Sequence, residues 1–207
     1  MGQIKFSRKG TFFYKKKNFF FKIYNRIPRT YSIEERNRRF QNEITAISLL
    51  KLEKCFFLPP CSNFDSRKFL IKYKKLSGPT VKECIENSKS KFGAKKIIKD
   101  ILNINHCINE KKINLCSHNI KDLIYNNNKL YLVDYEFYNE NLKKNNFIKD
   151  IQYDLMLRYF SFDKRRKIKK TKTSLQIINY FFHNYKILFV INFFRMLIEN
   201  FKQRNKN

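Results

Sequence analysis

The stretch Leu115–Glu136, LCSHNIKDLIYNNNKLYLVDYE, decides how this chain is read. It contains a polar loop at Ser117–Asp122, a turn signal at Asn126-Asn127-Asn128, and an alternating run at Lys129–Asp134 that ends on a carboxylate. Short apolar runs flank the turn, Leu123-Ile124-Tyr125 before it and Leu130-Tyr131-Leu132-Val133 after it. That pattern predicts a β-hairpin. A hairpin brings the loop before its first strand close to the residue after its second, so Asp122 and Asp134 can face one space. Two carboxylates on adjacent loops at a strand end suit a divalent cation that carries a nucleotide phosphate.

The spacing carries a resemblance. Protein kinases have H-x-D-x-x-x-x-N and, after a hairpin, D-F-G. With Asp134 at the D-F-G aspartate, Asp122 falls at the metal-binding asparagine, Ser117 at the base aspartate and Leu115 at the histidine. The five-residue step from Ser117 to Asp122 fits without a gap, and the twelve-residue step from Asp122 to Asp134 holds one short hairpin. Val133-Asp134-Tyr135-Glu136 is closer to the I-D-F or I-D-L variant of small bacterial kinases. The stretch therefore resembles the catalytic core of the lipopolysaccharide core heptose kinases and their relatives. The departure is Ser117, where the family has an aspartate.

Composition bounds the rest. The chain has 207 residues, 43% of them hydrophobic, enough for one domain or two tight lobes with a sizeable core. Four Gly and four Pro argue against a long disordered linker. A net charge of +28 predicts attraction to polyanions: nucleic acid, an anionic membrane face, nucleotides or phosphorylated glycans. Lys, Asn, Ile, Phe and Tyr are abundant together, so compositional bias explains the charge equally well. The five cysteines are irregularly spaced and include no C-x-x-C, which suggests buried thiols in a reducing compartment. His106-Cys107 and Cys116-Ser117-His118 lack zinc-site spacing. No signal peptide is visible, and Met1-Gly2 lacks the hydroxyl that a myristoylation signal places at position 6. The apolar run Ile187–Ile198 is short and broken by Asn192 and Arg195, so it does not span a bilayer.

Upstream, residues 4–25 read as strands around Gly10 and a basic turn at Lys15–Asn18, with Lys22 enclosed by apolar neighbours. A buried lysine needs a partner. A helix starts at Ser32, and Phe40, Ile44, Ile47 and Leu50 make its apolar face, with Glu43 beside them. A strand is expected at Phe69–Tyr73, then a turn at Leu76–Val81 with a helix start at Thr80. Residues 93–111 form a periodic helix on Ile97, Ile101, Ile104 and Ile108, with His106 packed or capping in its last turns.

Downstream, a polar loop at Asn139–Asn146 precedes a helix at Phe147–Phe162. Lys149-Asp150 and Asp154 in it resemble the lysine–aspartate start of the heptose-kinase helix whose aspartate anchors the catalytic loop. Asp163–Thr173 is a basic run, and Leu175–Lys202 reads as one final helix, packed on the lower lobe or lying in a membrane interface.

The resemblance spans about Gly10 to Phe160 and implies an α+β, two-lobed protein-kinase-like fold. A small sheet lobe with one helix (residues 1–76) would sit above a mainly helical lobe (residues 77–207). It implies ATP and Mg²⁺ as cofactors. Lys22 would hold the phosphates, Glu43 would orient Lys22, Asp122 and Asp134 would bind Mg²⁺, and Gly10 would remain from the glycine-rich loop. Leu76-Ser77-Gly78 resembles the exit from a kinase hinge, against which the base would lie. Ser117 can accept a hydrogen bond but cannot hold a proton, and His118 beside it is a candidate substitute base. Three readings follow. The first is a cytoplasmic kinase, peripheral on the inner membrane face, that acts on an anionic glycan or lipid-linked acceptor. The second is a pseudokinase that binds nucleotide or protein. The third is a basic nucleic-acid-binding protein, which charge alone supports.

Overall fold

Three strands open the chain, β1 (Ile4–Phe6), β2 (Phe12–Lys16) and β3 (Phe19–Ile23); helix α1 (Ile33–Leu52) and strands β4 (Cys61–Asp65) and β5 (Leu70–Lys74) follow. The structure is a computed structural model that describes residues 4–6, 12–16, 18–24, 32–87, 89–135, 137–138, 145–160 and 167–204. Gly10 lies outside the described residues.

The five strands make one antiparallel sheet in the order β1-β2-β3-β5-β4. β3 is its centre, with Lys22 opposite Phe13 on one side and Ile71 on the other. The basic turn is tighter than expected, because β2 runs through Lys16 and β3 begins at Phe19. Residues two apart in a strand share a face, and Lys22 and Tyr24 are both buried. The Phe40 ring of α1 meets Tyr24 edge-on at 5.7 Å. The Ser32 side chain accepts the Glu35 N–H and starts α1, which buries Phe40, Glu43, Ile47 and Leu50. Strand β4 has no strong signal in Cys61-Ser62-Asn63-Phe64-Asp65. Among the described residues it pairs only with β5, through a register shift between Cys61 and Asn63, and an edge strand needs one partner and little apolar surface.

Lys75–Pro79 lead into the second lobe. Thr80 and Glu83 cap α2 (Val81–Glu86) reciprocally. Helix α3 (Ala94–Glu110) buries Ile97, Ile101, Ile104 and Ile108, each side chain stabilising by roughly 1.5–3 kcal/mol. His106 is exposed rather than packed and lies 4.0 Å from Glu110. The hairpin β6 (Leu123–Asn126) and β7 (Lys129–Leu132) pairs Asn126 with Lys129. Asn127 and Asn128 hold φ of 49° and 62°, the left-handed pair that a two-residue hairpin turn requires.

Three helices complete the lobe, α4 (Phe147–Tyr159), α5 (Lys172–Asn184) and α6 (Lys186–Arg204). The single helix expected over Leu175–Lys202 is thus two, interrupted at Tyr185, where φ is −135°. The break turns α6 onto α4: the Asn192 amide donates to the Lys149 carbonyl at 3.3 Å and to the Gln152 side chain at 3.2 Å.

Candidate active site

Lys22 links three elements. Its Nζ donates to Glu43 Oε2 at 2.7 Å and to Asp134 Oδ1 at 2.6 Å. Glu43 is fully buried and also accepts the hydroxyls of Tyr24 and Tyr73. A carboxylate buried without such donors would cost several kcal/mol. The two tyrosines are site residues that sequence reasoning missed. The signal was present: Tyr24 follows Lys22 at strand spacing, and Tyr73 sits in the neighbouring strand opposite Phe20.

The hairpin supplies the carboxylates. Asp134 follows β7 with φ 70°, a left-handed conformation that aspartate tolerates better than most residues. The Val133 N–H donates to the Asp122 carbonyl at 2.9 Å, which ties the loop to the end of the hairpin. Asp122 Oδ2 accepts the Asn119 backbone N–H at 2.9 Å and its Nδ2 at 2.6 Å. Burial first, and then the negative charge of Asp134, hold the Asp122 carboxyl well above the usual carboxylate range. A divalent cation would relieve that repulsion. No cluster of three or more metal-ligating side chains occurs among the described residues. A pair of carboxylates fits Mg²⁺, which takes few protein ligands and completes its shell with phosphate and water.

Helix α4 holds the loop from below. The Ser117 N–H donates to Asp150 Oδ2 at 2.6 Å, and the Ile120 N–H to Asp154 Oδ2 at 3.0 Å. Arg158 Nε donates to both Asp154 oxygens at 2.8 and 2.9 Å. Burial raises the Asp150 carboxyl, and the Ser117 N–H opposes that rise. Ser117 itself is exposed, with φ 62°. His118 is turned into the core against the rings of Tyr135 and Phe147, at 5.9 and 6.1 Å. Its Nδ1 has no partner among the described residues, and burial pushes the imidazole down to about 4. The expectation that His118 substitutes as a base is corrected: it is a neutral core residue.

A cleft of about 310 Å³ joins these groups. Lys22, Glu43, Asp122 and Asp134 line it together with Phe20, Pro59, Tyr73, Leu76, Ile124 and Val133. Ser117 is not among its lining residues. Apolar walls with convergent charges at this volume suit a small ligand with a flat apolar part and an anionic part.

No protein-family profile and no curated protein matches the chain. Solved structures do. WbdD bound to the kinase inhibitor LY294002 superposes with a TM-score of 0.56 at 11% identity, over 89% of this chain and 45% of that one. A 2.2 Å crystal structure of WbdD gives 0.55 at 10% identity over the same shares. WbdD is a bifunctional kinase-methyltransferase, and the chain spans less than half of its length. At this identity the likeness establishes the fold. The chain has a two-lobed, kinase-like α+β fold, with a small antiparallel sheet lobe and a mainly helical lobe.

Proposed function

We propose that the protein is a kinase-like phosphotransferase that moves the γ-phosphate of ATP to a hydroxyl of a sugar or lipopolysaccharide-core type acceptor. One observation carries this reading: a buried lysine bonded to both a helix carboxylate and the carboxylate after the hairpin, on the wall of an apolar cleft. In it the sheet lobe holds the nucleotide phosphates through Lys22, with Glu43, Tyr24 and Tyr73 fixing the lysine. Asp122 and Asp134 of the helical lobe hold Mg²⁺, which neutralises charge on the transferring phosphate. Asp150 and Asp154 position the loop by its backbone. The charge of +28 suits an anionic glycan or lipid-linked acceptor.

Ser117 supports a second reading, a pseudokinase that binds nucleotide or a protein. It is exposed and absent from the cleft lining, and a serine at the base position lowers phosphoryl transfer on the order of 10²–10⁴-fold.

Thermal unfolding with and without ATP and Mg²⁺, on wild type and Asp134→Asn, tests the site. Binding at one hundred times Kd stabilises by about 2.7 kcal/mol. A shift that requires Mg²⁺ and vanishes in Asp134→Asn supports the nucleotide reading; no shift at saturating nucleotide removes it. Ser117→Asp then separates the two readings, since it raises ATP turnover only if transfer chemistry is in place.

A further inference from the structure

We propose that the outer face of α6 docks this protein on an anionic lipid bilayer, lying in the plane of the interface. Ile187, Val190, Ile191, Phe194, Leu197 and Ile198 are between 42% and 78% exposed. Their steps of three, one, three, three and one residues put them on one side of the helix, a stripe about 16 Å long at 1.5 Å per residue. The opposite side is already used: Asn192 and Met196 are buried, and Asn192 bonds to α4. The stripe therefore has no intramolecular role in the described fold. An apolar strip of this size on a water-facing helix marks an interaction surface.

The charge around it says what covers it. Residues 167–198 contain six Lys or Arg and no Asp or Glu. Lys186 and Arg195 are exposed on α6 itself, and Lys167, Lys169, Lys170 and Lys172 are exposed in the segment that enters α5. That segment adjoins the strip through a run of rings. Lys170 lies 5.0 Å from the Tyr159 ring, Tyr159 lies 5.0 Å from Phe160, and Phe160 lies 6.4 Å from Phe193 on α6. Cations beside an apolar, phenylalanine-bearing helix face suit phosphate headgroups above an acyl layer, with the lysine stems lying along the boundary. Each cation near such a surface adds to the attraction. A second copy of this chain would bring two all-basic segments together, and their repulsion opposes that pairing. No helix among the described residues is long and apolar enough to cross a membrane, so the contact is superficial.

The test is independent of the nucleotide cleft. The chain has no tryptophan, so Phe194→Trp makes a single reporter at the centre of the strip. The full chain is floated with vesicles of phosphatidylcholine alone and of phosphatidylcholine mixed with phosphatidylglycerol. Flotation with the mixed vesicles and a blue shift of the Phe194→Trp emission are the expected results. Val190→Asp/Phe194→Asp should weaken vesicle binding about 30-fold or more while leaving the thermal midpoint unchanged, because both side chains point to water. Three results would overturn the proposal: no flotation with anionic vesicles, flotation of the double variant like wild type, or an unmoved emission in floated protein. Sedimentation that gives a dimer, made monomeric by the double variant, would assign the face to a second copy instead.

Discussion

His118 is a histidine where the surroundings demand an apolar side chain. An unfolded histidine titrates near 6.5, and the folded one is pushed down to about 4. Above about pH 6.5 the ring is neutral in both states and stability is full. As pH falls, the unfolded chain takes the proton first, so stability is lost between about pH 6.5 and 4, by roughly 3 kcal/mol. His118→Leu should remove that step in urea unfolding followed across the same range, and should be neutral or stabilising near pH 7, because it also removes an unpartnered nitrogen. Tyr73→Phe keeps the ring but deletes one of the hydroxyls on buried Glu43. A hydrogen bond to a charged group contributes about 1.5–3 kcal/mol. Denaturant unfolding should show a loss in that range, and the Mg²⁺-dependent nucleotide shift should shrink as Lys22 loses its fixed partner.

Between elements, one close approach joins the lobe connection to the hairpin. A Cβ on Gly78 would lie 1.7 Å from the Tyr125 carbonyl oxygen, and the Tyr125 N–H already donates to the Pro79 carbonyl at 2.9 Å. Gly78→Ala must therefore move backbone against backbone, and we expect a loss of about 3 kcal/mol or more in denaturant unfolding. The second such contact is α4 under the loop. Asp154→Ala strands both the Ile120 N–H and the Arg158 guanidinium. It should cost about 3 kcal/mol and raise the hydrogen-exchange rate of the Ile120 amide above that of neighbouring core amides. Nothing in the local sequence marks Gly78 as a contact point rather than a turn residue; its role comes from the hairpin laid against it.

For the molecule as a whole, the dominant quantity is the charge of +28. Mutual repulsion opposes the compact state and is screened by salt. The thermal midpoint should rise by several degrees, on the order of 5 °C, between low and near-molar salt. A salt-independent midpoint would mean that the cations are too dispersed to repel.

Element types follow from local rules, and the sequence is enough for them. Lys22 among phenylalanines, the Ser32 cap, the isoleucines of α3 and the asparagines of the hairpin each announce their structure through propensity and period, whereas the two-lobed order is implied only by the kinase resemblance of Leu115–Glu136. The placement of Asp122 and Asp134 near one another follows from hairpin closure alone. The rest depends on neighbours distant in the chain. Strand β4 exists because β5 offers it an edge, and the break at Tyr185 accompanies the packing of α6 on α4. His118 is core rather than catalyst because Tyr135 and Phe147 close over it. The buried tyrosine pair on Glu43 and the exposed strip on α6 are likewise facts of packing. Periodicity says that a helix or strand has an apolar side; only the assembled core says which side is covered.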